Sequence, residues 1–229
     1  MIFRRNYSFK NEGNNMYRYE SELVNNFIYL KNFQNNYIEE CPFRWGNIDL
    51  VEYETSSVRF LSETQKKQLS SKENLLIFSI LYKDRPHTLE YISKKLGFTK
   101  DRLIIKLETL EQTGIVVKLG NVYTISREID FPDIIVRAYE MKLNDIKKAI
   151  NQAVINKQYC DYSYVVMPEE KRKICLEYKA VFQSCSIGLL LVDNDSVKEV
   201  VRAKRIKEVN YDKLASKIKI ANIWEPVCG

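Results

Sequence analysis

Between Tyr19 and Leu30 the apolar residues Leu23, Val24, Phe27 and Leu30 recur at helical spacing, which predicts an amphipathic helix. Over Arg44–Glu54 the period changes to two, as in a strand. Ile48 and Leu50 take one face, and Asp49, Val51 and Tyr53 take the other. A second strand is predicted at Ile134–Tyr139, an apolar run that ends in the triplet Glu140-Met141-Lys142. A helix from Asp145 to about Tyr159 follows, with Ile146, Ala149, Ile150 and Ala153 on one face. Tyr162–Met167 reads as a strand stopped by Pro168. Glu169 to about Gln183 reads as a helix with Ile174, Tyr178, Val181 and Phe182 inward. The strands Gly188–Val192 and Val197–Val201 flank the turn Asp193–Ser196, and a last helix covers Asp212 to Ile223.

The middle of the chain has another rhythm. Ser62 to about Lys83 reads as one helix with Leu75, Leu76, Ser79 and Ile80 as its buried stripe. Thr88 caps a short helix carrying Leu89, Ile92 and Leu96, and His87 before it reads as an exposed turn residue. Gly97-Phe98 turns the chain, and Thr99 caps a third helix with Leu103, Ile104, Leu107 and Leu110 inward, stopped by Gly114. Ile115–Leu119 and Val122–Ile125 then form a hairpin around Gly120-Asn121. Three helices followed by a hairpin wing is the order of a winged helix-turn-helix, and Ser62–Ser126 resembles one.

Composition narrows the chemistry. At 229 residues the chain has room for one large domain or two small ones. It is 45% hydrophobic and 29% charged, the balance of a soluble globular protein. No apolar run approaches the ~20 residues of a membrane helix, and Met1–Tyr7 lacks the apolar stretch of a secretory signal. Five scattered cysteines without a C-x-x-C pair speak for a reducing cytoplasm, against a disulfide framework or a zinc site. With His87 as the single histidine, any metal is expected to be a hard cation on carboxylates, Mg²⁺ or Mn²⁺. The net charge of +6 permits a polyanionic partner without demanding one.

Glu140 and Lys142 project from the same strand face, roughly 7 Å apart along the chain. A carboxylate beside an ammonium can hold a divalent cation next to a water or phosphate, which metal-dependent phosphodiester cleavage requires. Alone, such a triplet is more often a solvated strand end. Asp49 changes the balance, because a buried unpaired carboxylate between apolar neighbours is costly. Either a metal or an ion pair with Lys142 relieves that cost.

With the middle segment set aside, the order is helix, strand, strand, helix, strand, helix and a strand pair. Together with Asp49 and the Glu140-Met141-Lys142 triplet, this order resembles the PD-(D/E)XK nuclease superfamily. The resemblance implies an α/β protein with a restriction endonuclease-like mixed-sheet core flanked by helices. That core, residues 1–61 and 127–229, is interrupted by the inserted winged helix at 62–126. It implies Asp49 and Glu140 as metal ligands, Lys142 as the lysine beside the attacking water, and Glu20 as the helix glutamate, with Glu22 the weaker choice. Gln152 resembles the glutamine that some members carry on the helix after the lysine. Asp133, in Pro132-Asp133, spells the family name literally but lies roughly 23 Å of extended chain from Glu140 and is set aside.

The function this implies is a Mg²⁺-dependent DNA endonuclease directed by its insert. Lys100, Arg102 and Lys106, early in the third insert helix, are placed to meet DNA. Glu108 and Glu111 on the same helix oppose this, and winged helices also contact a second copy or a partner protein. Lys204 and Arg205, with Lys198 and Arg202, form a second basic surface. The rival expectations are a non-catalytic DNA-binding or assembly protein, and a nuclease subunit that needs a partner.

Overall fold

The structure, a computed structural model, describes residues 16–33, 36–43, 46–55, 61–82, 85–129 and 134–223. Arg44, Trp45, Lys83, the Pro132-Asp133 pair and Cys228 lie outside the described residues. Helix α1 (Glu20–Lys31) and strands β1 (Tyr37–Phe43) and β2 (Gly46–Thr55) come first. A helical segment follows, with α2 (Glu63–Leu69), α3 (Lys72–Leu81), β3 (His87–Thr88), α4 (Leu89–Leu96), α5 (Lys100–Gln112), β4 (Val116–Leu119) and β5 (Val122–Ile125). The chain continues through β6 (Ile134–Met141), α6 (Ile146–Asn156) and β7 (Tyr162–Pro168). It ends with α7 (Arg172–Glu177), α8 (Lys179–Cys185), β8 (Gly188–Val192), β9 (Val197–Val201) and α9 (Tyr211–Ile223).

Among the described residues this is an α/β protein with nine α-helices and two sheets. The large sheet has the order β1-β2-β6-β7-β8-β9. Strands β6, β7 and β8 are parallel, and β1, β2 and β9 join antiparallel to their inner neighbours. Parallel neighbours need crossovers, which α6 supplies between β6 and β7, and α7 with α8 between β7 and β8.

Side-chain alternation along the strands divides the core. Leu50, Tyr139, Met141, Val166 and Leu190 pack with Leu23 and Phe27 of α1 on one face. The Phe27 and Tyr139 rings meet edge to face, 5.1 Å between centroids. On the other face Val165, Met167, Leu189 and Leu191 pack with Ile146, Ala149, Ile150 and Ala153 of α6 and Phe182 of α8. Val51, Val136 and Ala138 form a further core there with Ile220 and Ala221 of α9.

The helical segment has its own core and a small antiparallel sheet, β3-β5-β4. Leu75, Phe78, Leu81, Ile92, Leu103, Leu107 and Leu110 are buried there. Gly97 ends α4 at a φ of 67°, the left-handed conformation that glycine adopts without cost. Leu214 and Ile218 of α9 complete this core, so one helix is shared between the insert and the large sheet.

Several elements depart from the pattern-based expectation. The predicted helix Ser62–Lys83 is two helices, α2 and α3, parted at Ser70-Ser71, and its buried residues include Leu75, Ile77, Phe78 and Leu81. Leu76, Ser79 and Ile80 are only half-buried. The stretch Glu169–Gln183 is a 3₁₀ turn (Glu169–Lys171) followed by α7 and α8, broken at Tyr178. That break resets the helical phase, so Cys175 and Phe182 are buried while Ile174 and Val181 are 40% exposed. Ile104 of α5 is likewise outward. Strands β1 and β3 were not predicted. His87 is therefore no exposed turn residue: it pairs with Tyr123 in β3–β5, is half-buried, and stacks on Tyr91. Helix α6 stops at Asn156, and β9 stops at Val201, before Arg202, Lys204 and Arg205.

Candidate functional site

Strands β2 and β6 pair from Thr55↔Ile134 up to Leu50↔Tyr139. The next step of the same register would set Asp49 against Glu140, and there the ladder gives way to side-chain bonding. The Met141 backbone N–H donates to Asp49 Oδ2 at 2.7 Å. The Lys142 backbone N–H donates instead to the Val166 carbonyl, so the chain stays with β7 as it leaves β2. The pairing on the other side of β2 also lapses here, at Glu40, whose φ is 47°. Two carboxylates thus face each other where the strands part, at the C-terminal end of β6.

Like charges directly opposite one another repel, and Lys142 answers them. Its Nζ lies 3.3 Å from Glu140 Oε1, 3.6 Å from Asp49 Oδ2 and 3.2 Å from Glu20 Oε2. It also donates to the Met141 carbonyl at 2.8 Å. Glu20 comes from the first turn of α1. Glu22, two residues on, accepts from the Arg18 and Tyr19 backbone N–H groups and so caps that helix.

Burial sets the electrostatics. Glu140 is 1% exposed, and its carboxyl is pushed up from 4.5 to about 7 by burial first and by Asp49 second, with Lys142 opposing. Burial also raises Asp49, against the pull of the Met141 N–H and of Lys142, with Glu40 and Glu20 adding to the rise. For Lys142, burial works downward, but Asp49, Glu140 and Glu20 more than offset it and hold the ammonium protonated.

The structure therefore brings Glu20, Asp49, Glu140 and Lys142 together from α1, β2 and the end of β6. It does not bond Gln152 to them. Gln152 stands on α6 with its Oε1 buried and without a hydrogen-bond partner. Asn156, one turn further on, donates its amide to Glu140 Oε2 at 3.2 Å. Sequence reasoning missed Asn156, although a signal was there: it continues the apolar stripe Ile146, Ala149, Ile150, Ala153 with a polar residue.

A cleft of 270 Å³ beside the cluster is lined by Glu20, Ser21, Val24, Asn25, Glu39, Glu40 and Asp49. Glu140 Oε1 is buried without a hydrogen-bond partner apart from its ion pair with Lys142. The donors are carboxylate oxygens, the kind that suits a hard divalent cation. Yet among the described residues no three His, Cys, Asp or Glu side chains are grouped so as to hold a metal ion, and the Lys142 ammonium lies between the carboxylates.

The expected DNA-contacting residues fall into two groups. Arg102 and Lys106 of α5 both pair with Glu73 of α3, and Lys100 lies 3.5 Å from Glu90 of α4. Lys204 and Arg205 are exposed on the segment after β9, while Lys198 pairs with Asp193 at 2.9 Å. No helix among the described residues is long and apolar enough to cross a membrane. The fold and site define an α/β protein with a carboxylate–lysine cluster at a strand parting. No protein family, curated protein or solved structure matches the chain.

Proposed function

We propose that the chain is a metal-dependent phosphodiesterase that cuts DNA, its large sheet a restriction endonuclease-like core of the PD-(D/E)XK kind. Residues 62–126 are then a winged helix set into that core. The observation that carries this reading is the facing pair Asp49 and Glu140, with the Lys142 ammonium within 3.6 Å of both. Mg²⁺ commonly takes one or two protein carboxylates and fills its shell with water and phosphate oxygens. Two facing carboxylates, one with an oxygen lacking a hydrogen bond, match that need in kind. A bound cation would acidify a water and offset charge at the reacting phosphate.

The chain's own residues have distinct parts. Asp49 and Glu140 would hold the cation, and the Asn156 amide fixes the orientation of Glu140. Lys142, beside both carboxylates, supplies positive charge to the reacting phosphate and orients the water. Glu20, 49% exposed at the cleft mouth, anchors Lys142 from the solvent side. The acidic cleft wall repels a phosphodiester until divalent cations neutralise it, so cleavage requires the metal.

Supercoiled plasmid with Mg²⁺ or Mn²⁺ tests the reading. Nicking by the wild type should fall by about 10²-fold or more in Asp49→Ala and in Lys142→Ala. Equal nicking by wild type and variants would mark a contaminant and sink the assignment. The absence of a three-ligand group among the described residues favours a second reading, in which the cluster is a buried ion-pair knot in a non-catalytic DNA-binding or assembly protein. In that case Mg²⁺ leaves the melting temperature unchanged. Under the first reading it raises that of the wild type and not that of Asp49→Ala.

A further inference from the structure

We propose that the outward face of α5 docks a partner protein that presents an apolar strip flanked by lysine or arginine, and that this face does not read DNA. The inference stands apart from the nuclease reading, because it rests on a surface of the insert alone. Helix α5 is the element that a winged helix-turn-helix would lay in the major groove. Its exposed residues are Lys100, Asp101, Arg102, Ile104, Ile105, Glu108 and Gln112, and of these Asp101, Ile104, Ile105, Glu108 and Gln112 form one stripe at i, i+3, i+4, i+7 and i+11. Ile105 is 62% exposed and Ile104 36%. Glu111, half-buried, borders the stripe.

No cation lies on that stripe. Arg102 and Lys106 sit one residue off it, on the flank toward α3, where both engage Glu73. Lys100 pairs toward Glu90 of α4. A duplex approaching this stripe would bring its phosphates against Asp101 and Glu108, while the exposed cations beside it, Lys100 and Arg102, are engaged by Glu90 and Glu73. The stripe suits a different surface, one with apolar groups for the two isoleucines and cations for the flanking carboxylates. Strand β4, which packs on α5, exposes two further apolar side chains, Val117 and Leu119.

A second copy of the chain does not fit as the occupant. A two-fold axis that sets Ile104 against Ile105 of the other copy also sets Asp101 against Glu108, twice over. Like charges so placed disfavour the symmetric contact. Charge complementarity therefore selects a different protein with a basic rim.

The test uses the full chain as wild type, as Ile105→Asp and as the double variant Arg102→Glu/Lys106→Glu. Ile105 and Arg102 are exposed and Lys106 is half-buried, and thermal melts verify that each variant is folded. Cross-linking in the source cells, with mass spectrometry of the linked peptides, identifies what touches residues 100–112. The expected result is a second protein whose linked segment carries Lys or Arg beside apolar residues. Once purified, that protein should bind Ile105→Asp at least about tenfold more weakly than wild type. A fluorescent duplex should bind all three forms alike. Links from α5 only to copies of this chain, no protein linked there, or at least about tenfold weaker duplex binding by the double variant would each overturn the proposal.

Discussion

Glu140 shows in one side chain what the fold imposes on the site. Its carboxyl is raised to about 7 in the folded protein, from 4.5. Below about pH 4.5 both states hold the proton; between about 4.5 and 7 the unfolded chain gives it up while the folded protein keeps it. Stability contributed by this residue therefore falls as pH rises through that window and levels off above it. Thermal melts in EDTA should show the slope in wild type and lose it in Glu140→Gln, whose melting temperature at pH 8 should equal or exceed the wild type's. A wild-type-minus-variant difference that stays flat from pH 4.5 to 8 would show that burial and Asp49 do not act on Glu140 in this way. Glu140, Lys142 and Asp49 were legible in the sequence because charged residues beside apolar strand neighbours are conspicuous. The partner that orients Glu140 was not singled out: Asn156 comes from another element, and only α6 packing on the sheet turns a polar break in a stripe into a hydrogen bond.

At the scale of elements, α9 carries more than its amphipathic pattern suggests. Lys213, 1% exposed, donates to the Ile206 carbonyl at 2.6 Å and lies 3.8 Å from Asp161 at the start of β7. Lys217 lies 3.4 Å from the same carboxylate, which also accepts the Val136 N–H of β6. Burial lowers the Lys213 pKa, and Asp161 counters it. Lys219 donates to the Pro42 carbonyl of β1, and Asn222 donates to Ser70 between α2 and α3. Removing Asp161 would leave Lys213 buried without its counter-charge. Asp161→Ala should cost about 3–5 kcal/mol in denaturant unfolding, as breaking a buried pair does. A loss well under 1 kcal/mol would mean that the cluster does not hold α9 in place. Elements whose period was unbroken were readable: α1, α4, α5, α6 and β6–β9 all stand close to their predicted positions. The breaks at Ser70-Ser71 and Tyr178 were not, since apolar spacing runs on across both and only the packing of separate short helices decides where the backbone turns. Strands β1 and β3 escaped because β1 is Glu-containing and β3 is two residues long, and both exist by pairing with a neighbour.

For the molecule as a whole, the position of α9 makes the insert inseparable from the sheet. Cutting out residues 62–126 would strip the cover from Leu214 and Ile218 while Ile220 and Ala221 stay on the core beneath. The shortened protein should melt lower and self-associate in size-exclusion chromatography through the bared face of α9. A monomer as stable as the full chain would show that α9 folds onto the sheet unaided. The apolar faces of α1, α4 and α6 and the residues of the triplet could be derived from the order of side chains, because backbone periodicity decides those among near neighbours. The α/β class came instead from the resemblance of the element order to a known family. Where β2 leaves β6 is another matter: Asp49 meets the Met141 N–H across 92 residues, and Glu20 reaches Lys142 across 122. Those meetings depend on which apolar surfaces bury one another at long range, and a local pattern carries no information about that choice. The carboxylates and the lysine could be nominated one by one; only the assembled sheet, with α1 on one face and α6 on the other, made them a single cluster.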